Sequence, residues 1–260
     1  MQRDLPLWRT LLFVPVNVPK FVERAPRAGA DGLLIDLEDS IGPADKESAR
    51  AMLPAVAQQL NADGTDIVVR INRPWRHAVR DLEAVVSPHV TAILCPKCDS
   101  AAHVKALSEI LAELEMERGL AIGHTRMLLI VETAEGFEVA TARAPGIRPM
   151  GSLGSIAEYK DVQTQRAIVR KSRRFGFEGA SCIHPNQVRV CNEEFAPTEA
   201  EVSAARRLIA AYDEALAQGR GSVEIDGKMV DIPIAIRAKN LLHLHAMIQA
   251  RSAQTAARTR

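Results

Sequence analysis

The sequence carries no surplus of charge of either sign: 33 Lys+Arg stand against 32 Asp+Glu, a net of +1. A general nucleic-acid or polyanion binder needs a basic excess, so that class is set aside. No uninterrupted apolar run approaches the roughly 18–20 residues of a membrane span. The start, MQRDLPLWRTLLFVPV, has no apolar stretch followed by a small-residue cleavage site, so no signal peptide is expected. Four cysteines in 260 residues make no disulfide framework, and a reducing cytosol is the default. Internal repeats and low-complexity linkers are also missing. What is present is ordinary: 47% apolar and 25% charged residues, in a chain long enough for one sizeable core. The expectation is a soluble, cytoplasmic protein without nucleic-acid or membrane partners.

Short apolar runs recur along the chain and end in polar or Gly/Pro residues. They are Thr10–Val16, Gly32–Leu37, Asp66–Ile71, Thr91–Cys95, Met127–Glu132 and Gly179–Ile183, with a weaker run at Gly146–Met150. Continuous rather than alternating apolarity predicts strands buried on both faces, as in a parallel sheet. Helices are expected between them at Lys20–Ala28, Pro43–Asn61, Ala101–Arg118 and Val162–Phe175. Ser100 is placed to cap the third of these, and Gly119 to end it. This alternation is that of an α/β fold, either a barrel or an open doubly wound sheet. From about Ala196 the pattern changes. A helix over Thr198–Gln218 carries a capping box at Thr198 and Glu201. A hairpin turns at Asp226-Gly227, and a last helix spans Ile234–Ile248 before a polar tail expected to fray. The division expected is a body over 1–195 and a C-terminal arm over 196–260.

In an α/β barrel, chemistry sits at the C-terminal ends of the strands. Those positions hold Asp36, Glu38 and Asp39, then Arg70 and Asn72, then Lys97, Glu132 and His184. Carboxylates and cations converging there suit a polyanionic substrate and a hard divalent metal. Each also has a plainer reading. The acidic trio could cap its own loop and pair with Arg50 or Lys46. Arg70 could be a structural ion pair. Glu132, following an apolar run, needs a partner or a metal. Cys95 and Cys98 form a CPKC pair, but Cys95 and Cys182 fall inside expected core strands, so apolar filler is the reading for the cysteines. His184 could be a general base or could lock its loop, and His243 and His245 read as a solvated helix face.

The segments LLFVPVN, LIDLEDSIGPADKESAR, VVRINRPW, CPKCDSAAHV and LLIVETAEGF resemble successive segments of the citrate lyase β-subunit-like family. The resemblance continues through GFEGASCIHPNQVRVCNEEFAPTEAEVSAARR to DGKMVDIP. It implies a TIM (β/α)8-type barrel with a C-terminal helical arm. It further implies an Mg²⁺-dependent (or Mn²⁺-dependent) carbon–carbon lyase that cleaves a malyl-CoA-type or citramalyl-CoA-type thioester to acetyl-CoA and a 2-oxo acid. A malyl-CoA-type thioesterase, a citrate lyase β subunit acting on an acyl-carrier protein, and a non-catalytic CoA-binding or assembly subunit stay open. On this resemblance Glu132 is a metal ligand, and Asp36 and Glu38 hold metal-bound waters. Arg70 stabilises the enolate or oxyanion. Asp231 is an acid/base that reaches into a neighbouring subunit, which implies a homo-oligomer, a trimer or hexamer. Arg9, Lys20, Asn72 and Lys97 are the expected substrate-binding residues, with the CoA tail crossing near the Arg9–Lys20 loop.

Two departures from the family pattern stand out. Val16 replaces a glycine of the LFVPGN-like turn. More seriously, the chain runs from ETAEGFEVATAR directly to APGIRPMGSLGSIAEYKD, which matches the seventh strand. The sixth strand, whose G-x-x-D-like motif supplies the second metal ligand, is expected to be absent near Arg143–Ala144, deleted or lying outside these 260 residues.

Overall fold

The computed structural model describes residues 6–98, 100–130, 148–157 and 159–258, with side chains to 254. It divides into two compact units, Trp8–Asn192 and Glu193–Arg260, Pro6 and Leu7 grouping with the second.

In the first unit strands and helices alternate: β1 Thr10–Pro15, α1 Pro19–Arg24, β2 Gly32–Asp36, α2 Lys46–Asn61, β3 Asp66–Arg70, α3 Trp75–Val85, β4 Ala92–Cys95, α4 Ala101–Glu117, β5 Arg126–Leu129, α5 Val162–Arg174, β6 Ala180–Cys182 and α6 Pro185–Glu194. The six strands form one sheet in the order β5-β4-β3-β2-β1-β6, and every pairing is parallel. Beyond β6 the sheet continues as a single parallel bridge between Met150 and Gly179. The weak run Gly146–Met150 is thus represented by that bridge among the described residues. The Arg143–Ala144 junction lies outside them, as does Glu132.

The sheet is curled into a half-barrel. Its inward side chains Leu11, Leu34, Val68, Ala92 and Leu94 form one apolar cluster with Trp8, and Phe13, Leu128, Ile130 and Met150 pack against it. Leu128 belongs to one flank of the sheet and Met150 to the other. In a flat sheet, at about 4.8 Å per strand, these flanks would stand roughly 30 Å apart. Both flanks nonetheless pack against the same cluster, in keeping with the curl. The opposite face carries Leu33, Ile35, Ile67, Val69 and Ile93, each at most 1% exposed, and the helices supply Leu53, Leu60, Leu82 and Leu107 from their own buried positions. Burial of such side chains, at about 1.5–3 kcal/mol each, is the main driving term. Gly179 is obligatory at the β1–β6 seam, because a Cβ there would lie 2.1 Å from the Trp8 carbonyl oxygen.

The second unit holds α7 (Glu199–Ala217), the antiparallel strands β7 (Val223–Ile225) and β8 (Lys228–Val230), and α8 (Ile232–Arg258). Thr198 and Glu201 form the reciprocal capping box, and Asp226 and Gly227 turn the hairpin with positive φ. Tyr212, Val230 and Ala235 make this unit's own core. The last helix runs past the Ile248 expected from the sequence: α8 continues to Arg258, since RSAQTAAR is rich in Ala, Gln and Arg, which favour helix. Helices α3 and α6 have no counterpart in the sequence reading. No helix among the described residues is long and apolar enough to cross a membrane.

Candidate functional site

The inward face of the sheet changes character at the C-terminal ends of β2 and β3. Asp36 follows Leu34, and Arg70 follows Val68, at the next inward positions; the two residues are register partners. Arg70 donates from Nε to Asp36 Oδ1 and from Nη2 to Asp36 Oδ2, both at 2.7 Å. Its Nη1 lies 3.0 Å from Glu38 Oε2 and 3.7 Å from Asp39. The guanidinium carbon sits 4.9 Å from the centre of the Phe13 ring, which presents its negative face to the cation. Glu38 Oε1 receives Lys97 Nζ at 2.9 Å. Lys97 reaches it from a left-handed backbone conformation, φ 51°, just past β4. The site is therefore a chain of alternating charges, Asp36–Arg70–Glu38–Lys97, at one rim of the half-barrel.

Local backbone geometry holds the acidic pair. Asp36 accepts the N–H groups of Glu38 (2.9 Å) and Ser40 (3.0 Å), which folds the loop back over its own carboxylate. Lys46, at the start of α2, donates to the carbonyls of Leu37 (2.7 Å) and Glu38 (2.5 Å). Burial opposes the charge on Asp36, but the bonds from Arg70 and Ser40 and the attraction of Arg70 outweigh it and hold the carboxyl below its usual range. Glu38 goes the other way. Burial pushes its carboxyl up, and the bond from Lys97 and the charge of Arg70 offset this only in part. Burial likewise lowers Lys46, against the pull of Asp36 and Asp81.

The expected substrate residues divide. Lys97 joins the cluster. Asn72 stands behind it: both its amide hydrogens are engaged by the protein, at Asp81 Oδ2 (2.7 Å) and the Leu37 carbonyl (2.8 Å). Lys20 lies exposed on α1, its ammonium 5.3 Å over the ring of Phe21. Arg9 is not brought to the cluster. It precedes β1 at the opposite, N-terminal end of the parallel sheet, where its Nε and Nη2 each lie 2.8 Å from the buried Asp31 and its Nη1 meets the Asn192 carbonyl. Asp231 belongs to the second unit, just past β8, where its carboxylate accepts the Ile234 N–H. The acidic trio does not pair with Arg50, which instead takes Asp81 and Glu47. Sequence reading missed Phe13 and Asp81. Asp81 carried a signal: in α3 the buried positions are Ala78, Asp81, Leu82 and Val85, so a charge occupies an apolar-face position.

The remaining candidates are settled locally. All four cysteines are free thiols and buried. A hydrogen bond with Cys98, and then burial, push the Cys95 thiol far up; Cys182 is raised in the same way by Cys191. His184 accepts the Asn186 N–H on Nδ1 (3.1 Å) and stacks on Tyr159, ring centres 4.8 Å apart. His243 is exposed on α8.

Among the described residues no group of three or more His, Cys, Asp or Glu could hold a metal ion. The cluster nonetheless suits the outer shell of a hydrated hard cation. Both Asp36 oxygens are engaged twice over, whereas Glu38 Oε2 is met by the Arg70 guanidinium alone, at 3.0 Å, so it keeps a lone pair for a metal-bound water.

Residues 9–142 match the HpcH/HpaI aldolase/citrate lyase family. The chain belongs to that family. Among relatives of the HpcH/HpaI family, the citrate lyase subunit beta of Leuconostoc mesenteroides subsp. cremoris is 30% identical over 283 aligned positions, covering 92% of this chain and 93% of the relative. A (3S)-malyl-CoA thioesterase of Cereibacter sphaeroides is 28% identical, with 90% and 93% covered. In fold, the chain is similar to a protein named CitE from Mycobacterium tuberculosis, solved in complex with magnesium, acetoacetate and coenzyme A. The TM-score is 0.64 at 24% identity, over 92% of this chain and 98% of that one. The family match ends at residue 142.

Proposed function

We propose that this chain is an Mg²⁺-dependent carbon–carbon lyase that cleaves a malyl-CoA-type or citramalyl-CoA-type thioester to acetyl-CoA and a 2-oxo acid, on a TIM-type barrel completed as in its relatives. The observation that carries the reading is the Arg70 guanidinium, fixed by Asp36 and Glu38 at the C-terminal rim of a curled parallel sheet in a member of this family. Glu132 would ligate the metal and Glu38 would hold one of its waters; the ion, when bound, supplies Lewis-acid polarisation of the oxo acid's carbonyl. Arg70 does the work of this chain's own side chains. Its bonds to Asp36 use Nε–H and one Nη2 hydrogen, so further N–H groups on Nη1 and Nη2 can meet an oxyanion as charge develops there. Because its carboxylates hold it before substrate arrives, little reorganisation is needed at that moment. Lys97 and Lys20, both at this end of the sheet, are suited to the anionic groups of the thioester. Asp231 from a neighbouring subunit is the proposed acid/base, in a homotrimer or hexamer.

The thioesterase relative supports a second reading, in which water attacks the thioester carbonyl. One assay separates them. The full chain is incubated with Mg²⁺ and malyl-CoA or citramalyl-CoA, and 2-oxo acid and free thiol are followed together. A 2-oxo acid without free CoA identifies the lyase; free CoA without 2-oxo acid identifies the thioesterase. Neither product, from a folded protein that still binds coenzyme A, would leave the acyl-carrier-protein and assembly-subunit readings. Light scattering of the same sample reads the oligomer.

A further inference from the structure

Behind the cluster stands a second buried carboxylate that touches none of its charged groups. Asp81 on α3 has no exposed surface and accepts four hydrogen bonds. Oδ1 takes Arg50 Nε (2.9 Å) and Nη2 (2.7 Å); Oδ2 takes the backbone N–H and the side-chain Nδ2 of Asn72, both at 2.7 Å. The same Asn72 amide gives its other hydrogen to the Leu37 carbonyl at 2.8 Å. Both of its acceptors are oxygens, so the amide has a single orientation. Leu37 lies between Asp36 and Glu38, and its own N–H donates to the Arg70 carbonyl at 3.0 Å. A continuous path therefore runs Arg50–Asp81–Asn72–Leu37 and ends at the loop that grips Arg70.

Stability alone is a poor account of this arrangement. A buried ion pair generally stabilises a fold no better than well-packed apolar side chains of the same volume. An apolar pair, however, could not grip an amide. We propose that Asp81 is a positioning residue: acting through Asn72, it fixes the Leu37 carbonyl and thereby the two carboxylates that hold Arg70. The catalytic consequence rests on the lyase reading above, whereas the structural consequence does not. Asn72 is thereby assigned to holding the loop rather than to touching substrate.

The test uses Asn72→Ala and Asp81→Asn in the full chain, read by amide hydrogen exchange and by steady-state kinetics with Mg²⁺ and malyl-CoA. The Glu38 and Ser40 N–H groups, which Asp36 holds at 2.9 and 3.0 Å, are expected to exchange roughly tenfold faster. Amides of Leu34, Ile35 and Val68 should keep wild-type protection. In parallel kcat should fall roughly ten- to a hundredfold, the scale of a small misplacement of a catalytic group, with KM nearly unchanged. Should Asp81→Asn fail to fold, Asn72→Ala decides the matter alone, since it leaves the Arg50–Asp81 pair in place. Unchanged exchange at Glu38 and Ser40 overturns the proposal. So does a uniform loss of protection across the sheet, which is what general destabilisation produces, and so does a raised KM at constant kcat, which would make Asn72 a substrate ligand. Faster exchange confined to the loop, with no turnover even by the wild type, upholds the positioning and sinks the lyase reading instead.

Discussion

Arg70 and Asp36 face each other across adjacent parallel strands in the same register, and the guanidinium meets both carboxylate oxygens at 2.7 Å. The pair caps an apolar interior, with Phe13 beneath the cation. A planar fork matched to a carboxylate and stacked on a ring is a geometry that lysine cannot reproduce.

Arg70→Lys is accordingly expected to fold yet lose about 10²–10³ in kcat, the scale for removing one oxyanion donor. Circular dichroism and the coupled 2-oxo acid assay check this. A variant with near wild-type kcat would remove Arg70 from the chemistry.

The two carboxylates beside Arg70 should part company on acidification. Glu38 is raised by burial above its ordinary 4.5. Its contribution to stability is thus complete below 4.5 and lost as pH rises through its folded value. Asp36 is lowered from 3.8, so its contribution is present above that value and lost as pH falls through the folded one. Between the two, Glu38 has lost its charge while Asp36 still holds Arg70. The acid limb of the pH–rate profile should therefore report a group above 4.5 that disappears in Glu38→Gln. An unaltered limb in that variant would assign it elsewhere.

Arg50 is almost wholly inside the protein against a fully buried Asp81. Arg50→Ala leaves that carboxylate with only its Asn72 donors and should cost about 3–5 kcal/mol, the range for breaking a buried pair from one side. Urea unfolding measures it; a loss below about 1 kcal/mol would place the pair at the surface in solution.

The CPKC pair should be chemically silent in the native state. Cys95 is raised by its bond to Cys98 and by burial, and the thiolate is the reactive form. Of the four thiols, none is expected to be alkylated within minutes at neutral pH, as intact mass would show. Rapid labelling of Cys95 or Cys98 would reopen a redox role.

The sequence revealed what periodicity encodes. Apolar runs ending in charge located β2 and β3 and placed Asp36, Glu38 and Arg70 together, because strand ends of a parallel sheet share one rim. Arg9 stands apart from that rim, because a charge flanking a strand does not declare at which end its partner stands; Asp31, before β2, pairs with it. Asp81 went unnoticed because an acid in a helix reads as solvated surface unless its three neighbours on the same face are checked. The roles of Glu132 and Asp231 rest on motif resemblance, since Glu132 falls outside the described residues and Asp231 belongs to a separate unit. Helix α3 escaped because an acid, Asp81, interrupts its buried stripe of Ala78, Leu82 and Val85, while Trp75 and Val79 stay exposed.

Four of the five strand pairings join neighbours along the chain, but β1 and β6 bring Thr10 to Ala180. Loop-closure entropy grows with the logarithm of the separation, so this junction bears the greatest ordering cost of any in the sheet. Consecutive βα units can assemble locally as the chain emerges; β6 must wait until almost the whole first unit exists. The seam at Gly179 thus lies where the sheet closes its longest loop, the pairing most exposed to any change in the length of chain between β1 and β6.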